Sequence, residues 1–444
     1  MSLAERSRQA VWHPCTQMKV HETFPPRAIV AAKGPWLIDQ RGDRILDAVS
    51  SWWVNLFGHS HPALVAAVAD QLNTLDHIML AGLTHPPVVE LSERLGQLTG
   101  LGHAFYGSDG ASATEIALKM SAHSWRNRGK AEKNEFVGLQ GGYHGETVGA
   151  LSVTDIPLFR QAYAPLLRLS AMLPSPAFNA LNESIDALER YLAEHHERTA
   201  ALILEPLVQG AAGMAMYSPE YLVAVRRLCD QYQVHWIADE IAVGFGRTGS
   251  LFAHQQAVDP ASGQHVRPDF ICLSKGLTGG MLPLSVVLTT DAVYESFWDD
   301  RVAQGFLHSH SYTGNPLACR AALAVLDLFA QRDVLADNRV AAARLSALAD
   351  PLNRHPAIRS HRQLGMIWAW EVDTSDPTFA ARYHRAAMEE GVLLRPIGHT
   401  LYFMPPYVLT EADQAHLVQA SVRALDRVLA DQPASGAQTW VPVP

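Results

Sequence analysis

Two residues stand where ionisable chemistry would be done. Lys275 closes the apolar run Asp269-Phe270-Ile271-Cys272-Leu273-Ser274 and is followed by Gly276. Asp239 and Glu240 close another, Val234-His235-Trp236-Ile237-Ala238. Each run reads as a buried strand, and open α/β sheets bind ligands at the carboxyl ends of their strands. A lysine at the end of an apolar strand is costly unless it is paired or covalently used. Partial desolvation lowers its pKa and makes the amine nucleophilic enough to bond an aldehyde carbon. An acid and a lysine on neighbouring strand ends therefore suit pyridoxal phosphate. The lysine bonds the aldehyde, and the acid keeps the pyridine nitrogen protonated so that the ring draws electrons. A structural ion pair between Asp239 and Lys275 would use the same two residues, so the neighbouring motifs must discriminate.

Three motifs supply what such a cofactor needs. Gly107-Ser108-Asp109-Gly110-Ala111-Ser112 runs into a helical pattern, and small residues at a helix start offer free amides to a phosphate. Gly141-Gly142-Tyr143-His144-Gly145 brackets an aromatic pair with glycines, which lets a ring stack on a planar ligand. His308-Ser309-His310-Ser311-Tyr312-Thr313-Gly314-Asn315-Pro316 precedes a helix and offers Ser311 or Thr313 to a phosphate. Its two histidines have no third ligand at useful spacing, so no metal is expected. Gly244-Phe245-Gly246-Arg247-Thr248-Gly249 satisfies a nicotinamide fingerprint in letters only. Asp239 and Glu240 separate it from its strand, no good helix follows, and Asp269 begins a strand instead of ending one. Arg247 is read instead as a residue near the mouth of the crevice.

These residues need a scaffold, and the chain has the material for one. Of its 444 residues 48% are apolar and 18% charged, the composition of a packed globular protein. The formal net charge is −9, which argues against nucleic acid or anionic membrane as partner. Cys15, Cys229, Cys272 and Cys319 are scattered without a CxxC pair, as expected of a reducing compartment. The start MSLAERSRQAVWHP lacks the apolar stretch of a signal peptide, and no run of about 18 apolar residues appears. The expectation is a cytoplasmic protein.

Helical periodicity is expected at 63–75, 87–99, 112–126 and 185–196, and from a start at Ser218-Pro219-Glu220 to about Gln233. Strands are expected at 201–205, 234–239 and 269–274. Such alternation means βαβ units and a mostly parallel sheet. Farther on, 366–372 and 392–395 read as strands, 401–404 as a hairpin arm returning on the latter, and Thr410 as the cap of a last helix ending near Ala430. Residues 1–60 read as irregular with strand-like pieces such as 36–39. The expected organisation is α/β: a segment 1–61 contributing to a small domain, a large domain at 62–330, a smaller α+β domain at 331–430 and a frayed tail at 431–444.

Asp239-Glu240-Ile241, Gly244-Phe245-Gly246-Arg247-Thr248-Gly249, Ser274-Lys275-Gly276 and Gly279-Gly280 together resemble the class III, fold-type I pyridoxal-phosphate aminotransferases. The likeness runs from about Trp12 to about Tyr407. Trp12-His13-Pro14, Ser50-Ser51-Trp52-Trp53, Thr84-His85, Gly142-Tyr143-His144-Gly145, Arg395-Pro396 and Tyr402-Phe403-Met404-Pro405-Pro406 resemble one subgroup of that class. Its members transfer the amino group of S-adenosylmethionine to 8-amino-7-oxononanoate in biotin synthesis.

The resemblance implies a fold-type I architecture, a large domain with a mostly parallel sheet flanked by helices plus a smaller α+β domain, and a homodimer with shared sites. It implies that Lys275 holds the cofactor and shuttles protons, with Asp239 on the pyridine nitrogen and Tyr143 stacked near the ring as its catalytic companions. Glu205 would be a second acid near the ring. Gly110 and Ala111 would give amides to the phosphate, and Ser311 would reach it from the partner subunit. Trp52, Trp53 and Tyr402 would line the substrate pocket, Arg395 would bind the acceptor's carboxylate, and Arg247 would lie near the substrate. Cys15 stands where the family often has tyrosine, Glu146 where it often has aspartate, and Ala111 where serine is frequent. Cys15 leaves open a class III enzyme using lysine or another ω-amino donor. A pyridoxal-phosphate-binding regulator would need a basic DNA-binding module, which this acidic chain does not offer.

Overall fold

A computed structural model describes residues 1–431 and divides the chain into two compact units. One is Ala63–Leu335; the other is Met1–Pro62 with the chain from Ala336 onward. The expected tail lies outside the described residues apart from Asp431.

Ala63–Leu335 is built on a seven-stranded sheet. In chain order its strands are β1 (His103–Gly107), β2 (Glu135–Leu139), β3 (Ala171–Leu173), β4 (Thr199–Leu204), β5 (His235–Asp239), β6 (Phe270–Leu273) and β7 (Ser285–Thr289). Their order across the sheet is β1-β7-β6-β5-β4-β2-β3. Only β7 runs antiparallel to its neighbours, so the other six carboxyl ends lie on one edge. This is the mostly parallel α/β sheet that the alternation implies. Every residue of β4, β5, β6 and β7 is buried, which is why these runs are continuously apolar and not alternating. The helix Gly110–Asn127 packs Ala113, Ile116, Ala117 and Met120 onto Ile203, Ile237, Phe270 and Val287 of the sheet. It begins two residues before the expected start, because Asp109 caps it by accepting from Ser112 N at 2.8 Å.

In the other unit, Ile29–Lys33, Trp36–Asp39, Arg44–Asp47 and Val392–Leu393 form one sheet. Ile358–Leu364, Ile367–Val372 and Thr400–Phe403 form a second, antiparallel one. The expected hairpin between 392–395 and 401–404 does not form. Val392 and Leu393 pair in parallel with Leu46 and Asp47. Pro396 lacks the N–H needed to extend that ladder, and Thr400–Phe403 crosses to Ile367–Val372 instead. The first 60 residues are also more ordered than expected, with a capped helix Leu3–Ala10 ahead of three strands. Thr410 does cap the last helix, Glu411–Ala430, through a reciprocal pair of bonds with Asp413.

Ile237 sits at the centre of β5 with no exposed surface. Ile237→Ala should lower stability by about 2–5 kcal/mol, read as a lower urea midpoint. An unmoved midpoint would show that β5 contributes little to this core.

Candidate active site

Strand register brings three ionisable groups to one edge of Ala63–Leu335. Asp239, the last residue of β5, is level with Cys272 of β6, so Lys275 follows three residues beyond that level. On the other flank Ala238 is level with Leu204, and Glu205 follows β4. Glu205, Asp239 and Lys275 thus end three adjacent parallel strands. Lys275 opens a short 3-10 turn at φ +45°, in the left-handed region that a non-glycine residue enters at a cost of order 1–2 kcal/mol. Desolvation lowers its pKa; Asp239 and Glu205 oppose that shift, and Arg247 adds to it.

Each acid is held in one orientation. Asp239 Oδ1 accepts from Ile241 N at 3.0 Å, and Oδ2 lies 2.7 Å from His144 Nδ1. His144 is itself buried and pinned: its N donates to Thr154 Oγ1 at 3.0 Å, and its carbonyl accepts from Thr114 Oγ1 at 2.8 Å. Sequence reasoning gave His144 no role, and the glycines flanking it were the only local signal. Glu205 Oε1 accepts from Gly210 N at 3.0 Å and Oε2 from Tyr143 N at 3.1 Å. Burial pushes its carboxyl up to about 7, against the pull of His144 and with a smaller push from Asp239. Tyr143 is half-buried and its hydroxyl donates to Glu146 Oε1 at 3.0 Å.

Gly110 and Ala111 are the first two residues of the helix behind β1, at the same edge. Asp109 claims the N–H of Ser112, while the N–H groups of Gly110 and Ala111 precede the helix's own bonding and point outward from its start. A Cβ on Gly145, where φ is +115°, would come within 2.6 Å of Ala111 Cβ, so the Tyr143 loop lies directly on the phosphate loop. A desolvated amine, an oriented carboxylate and a helix start on one sheet edge fit pyridoxal phosphate. The loop 244–249 forms turns followed only by the 3-10 turn Ala253–Gln256, not the helix a nicotinamide site needs.

Arg247 is not at a crevice mouth but 1% exposed. Glu240 pulls the chain beyond it inward by accepting from Ala253 N and His254 N, each at 2.8 Å. Ser311 is exposed.

The remaining expected site residues belong to the other unit. Ser50, Ser51, Trp52 and Trp53 have φ of +52°, +45°, +73° and +71°, four successive left-handed residues with no glycine among them. Trp53 Nε1 donates to Tyr402 Oη at 3.1 Å, and the Arg395 guanidinium lies 5.3 Å from the Trp52 ring centre. Burial pushes the Tyr402 hydroxyl up to about 12. Desolvation lowers the Arg395 pKa, and Tyr402 and Cys15 oppose that shift. Trp52, Trp53, Tyr402 and Arg395 are thus brought together.

Residues 17–425 match the Aminotransferase class-III family, and the chain belongs to it. Class III aminotransferases depend on pyridoxal phosphate. The chain is 41% identical to the adenosylmethionine-8-amino-7-oxononanoate aminotransferase of Helicobacter pylori, over 96% of this chain and 98% of that protein. The crystal structure of the adenosylmethionine-8-amino-7-oxononanoate aminotransferase from Methanocaldococcus jannaschii matches with a TM-score of 0.91 at 33% identity, covering 96% of this chain and 98% of that one. An amine transaminase from an uncultivated Pseudomonas species, solved in its PLP-bound form, matches with a TM-score of 0.87 at 30% identity, over 94% and 99%.

Glu205 links the site to pH. Its folded value of about 7 exceeds the ordinary 4.5, so its stabilising contribution is complete below pH 4.5 and is lost as pH rises through 7. In cofactor-free protein Glu205→Gln should flatten the decline of thermal midpoint across that window. Glutamine keeps only one acceptor for two backbone N–H groups, so the slope and not the midpoint is the readout. Equal slopes would exclude the raised value.

Proposed function

We propose that this chain is a pyridoxal-phosphate aminotransferase that takes the amino group of S-adenosylmethionine and delivers it to 8-amino-7-oxononanoate, giving 7,8-diaminononanoate for biotin synthesis. The observation that carries this reading is the cluster of Trp52, Trp53, Tyr402 and Arg395 in one unit, the residues by which the chain resembles that subgroup. Relatives named for the same reaction, alike over nearly the full chain, support it.

Lys275 Nζ holds the cofactor, and Gly110 and Ala111 hold its phosphate with their N–H groups. The bound cofactor supplies an electrophilic carbon and a ring that withdraws electrons from it. Lys275 Nζ would take the proton from the donor carbon and return one, as its lowered pKa permits. Asp239, oriented by His144 and Ile241 N, keeps a proton on the ring nitrogen. Tyr143 would hold the ring by its aromatic face, and Glu205, bonded to Tyr143 N, would be a second acid near it. Arg395 takes the acceptor's carboxylate in its guanidinium fork, Trp52, Trp53 and Tyr402 line the acceptor's chain, and Arg247 lies near the substrate.

The working form is a homodimer with shared sites, in which Ser311 reaches the phosphate of the partner subunit. The large apolar side chains Trp298, Val302, Leu307 and Tyr312 are exposed in the stretch 298–312 that carries Ser311, material suited to a second copy. The four scattered cysteines, with no CxxC pair, and the net charge of −9 suit the cytoplasm. Among the described residues no helix is long and apolar enough to cross a membrane.

A second reading, a class III enzyme using lysine or another ω-amino donor, is favoured by one observation. Cys15, whose thiol acts on the Arg395 charge, stands where the family often has tyrosine. S-adenosylmethionine should bleach the visible absorbance of the purified protein; bleaching by lysine alone would select the second reading. Lys275→Ala should lose turnover in both half-reactions, and near-normal turnover would refute the assignment. Arg395→Ala should raise the acceptor KM about ten- to hundred-fold, the loss expected for a charge-assisted bond, while sparing the donor half-reaction. Equal damage to both halves would count against its carboxylate role.

A further inference from the structure

We infer that Asp47 is the residue that positions the acceptor pocket, by holding the left-handed turn that carries Trp52 and Trp53; this rests on the reading of those tryptophans and Arg395 given above. Asp47 ends the strand Arg44–Asp47 and is fully buried. Its Oδ1 accepts from Ser51 N at 2.9 Å, and its Oδ2 from Ser51 Oγ at 2.7 Å. Oδ2 also lies 2.9 Å from His59 Nε2. The Asn55 amide nitrogen is 3.3 Å from His59 Nδ1, so the imidazole bridges Asn55 and Asp47.

One carboxylate thus ties down both donors of the second residue of the turn. Residues 50–53 all lie at positive φ without a glycine, a conformation that persists only where the surroundings impose it. The other ties act on either side of Ser51: Ser50 Oγ donates to Met404 O at 2.7 Å, Trp53 Nε1 to Tyr402 Oη, and the turn's own backbone closes through Trp53 N to Val49 O at 2.8 Å and Val54 N to Ser50 O at 3.0 Å. Only Asp47 grips Ser51 directly among these contacts. A right-handed or extended Ser51 would swing the following indole away from the Arg395 guanidinium. The strain is thereby converted into the placement of two aromatic rings, and Asp47 acts through Ser51 without touching substrate.

Glycine at 51 gives a direct test, because it enters positive φ without a tether. Asp47→Ala should raise the KM for 8-amino-7-oxononanoate at least tenfold and leave the S-adenosylmethionine half-reaction within about twofold. The double variant Asp47→Ala/Ser51→Gly should recover most of that KM. Protein made with 5-fluorotryptophan supplies a readout independent of turnover, its lines assigned with Trp52→Phe and Trp53→Phe. The fluorine lines of Trp52 and Trp53 should move in Asp47→Ala and return in the double variant, with the remaining tryptophan lines fixed. Should Asp47→Ala fail to fold, Asp47→Asn, which retains one acceptor oxygen, carries the same comparison with smaller shifts. Unmoved lines, or equal loss in both half-reactions without recovery by glycine, would overturn the assignment. If the wild-type protein transfers no amino group to 8-amino-7-oxononanoate, the proposed function fails, while the fluorine lines still decide the role of Asp47.

Discussion

An amine denied its full hydration at the end of a buried strand is the constraint on which the large unit depends. Lys275 cannot stay charged cheaply there, and burial likewise works against a charge on Glu205 at the end of β4. The parallel sheet creates this situation, because it gathers the ends of β4, β5 and β6 on one edge. Backbone donors and His144 then fix each acid in a single orientation. A titratable group that is oriented and poorly solvated can pass protons near neutral pH without large reorganisation.

The other unit meets a different demand with a different device. Its sheets are small, and an aromatic surface must be presented by a loop. Four left-handed residues present it, tied to Asp47 on one side and to Met404 and Tyr402 on the other. Such a turn is poor as local structure; its own backbone bonds close it, and side-chain ties from outside hold it in place. The pairing of Val392 and Leu393 with Arg44–Asp47 supports the strand that bears Asp47, so residues far apart in the chain share the work.

Much of the large unit was legible in the residues. Fully buried parallel strands need continuous apolar runs, and those runs end at Glu205, Asp239 and Lys275, so the edge of the sheet can be marked before any register is known. The strands β1, β2, β3 and β7 were not legible: β1 to β3 are runs of three to five residues with mixed burial, and β7, though fully buried, is only five residues long and carries no period of its own. Arg247 was misplaced because a glycine-rich stretch reads as surface, whereas Glu240 folds this one inward. The supposed hairpin failed because pairing partners on a two-residue strand are set by distant segments and not by adjacency.

What the linear chain determined by itself is the identity of the reactive groups and the order of the elements that carry them. Composition, apolar period and cap residues act locally, and Thr410 with Asp413 or Asp109 before its helix are readable for that reason. What only tertiary structure decided is which groups meet: His144 on Asp239, Gly210 N and Tyr143 N on Glu205, Asp47 beneath Ser51. Those contacts depend on strand register and on backbone conformations that no local preference selects, and the desolvation that tunes Lys275 and Glu205 exists only once the chain has closed around them.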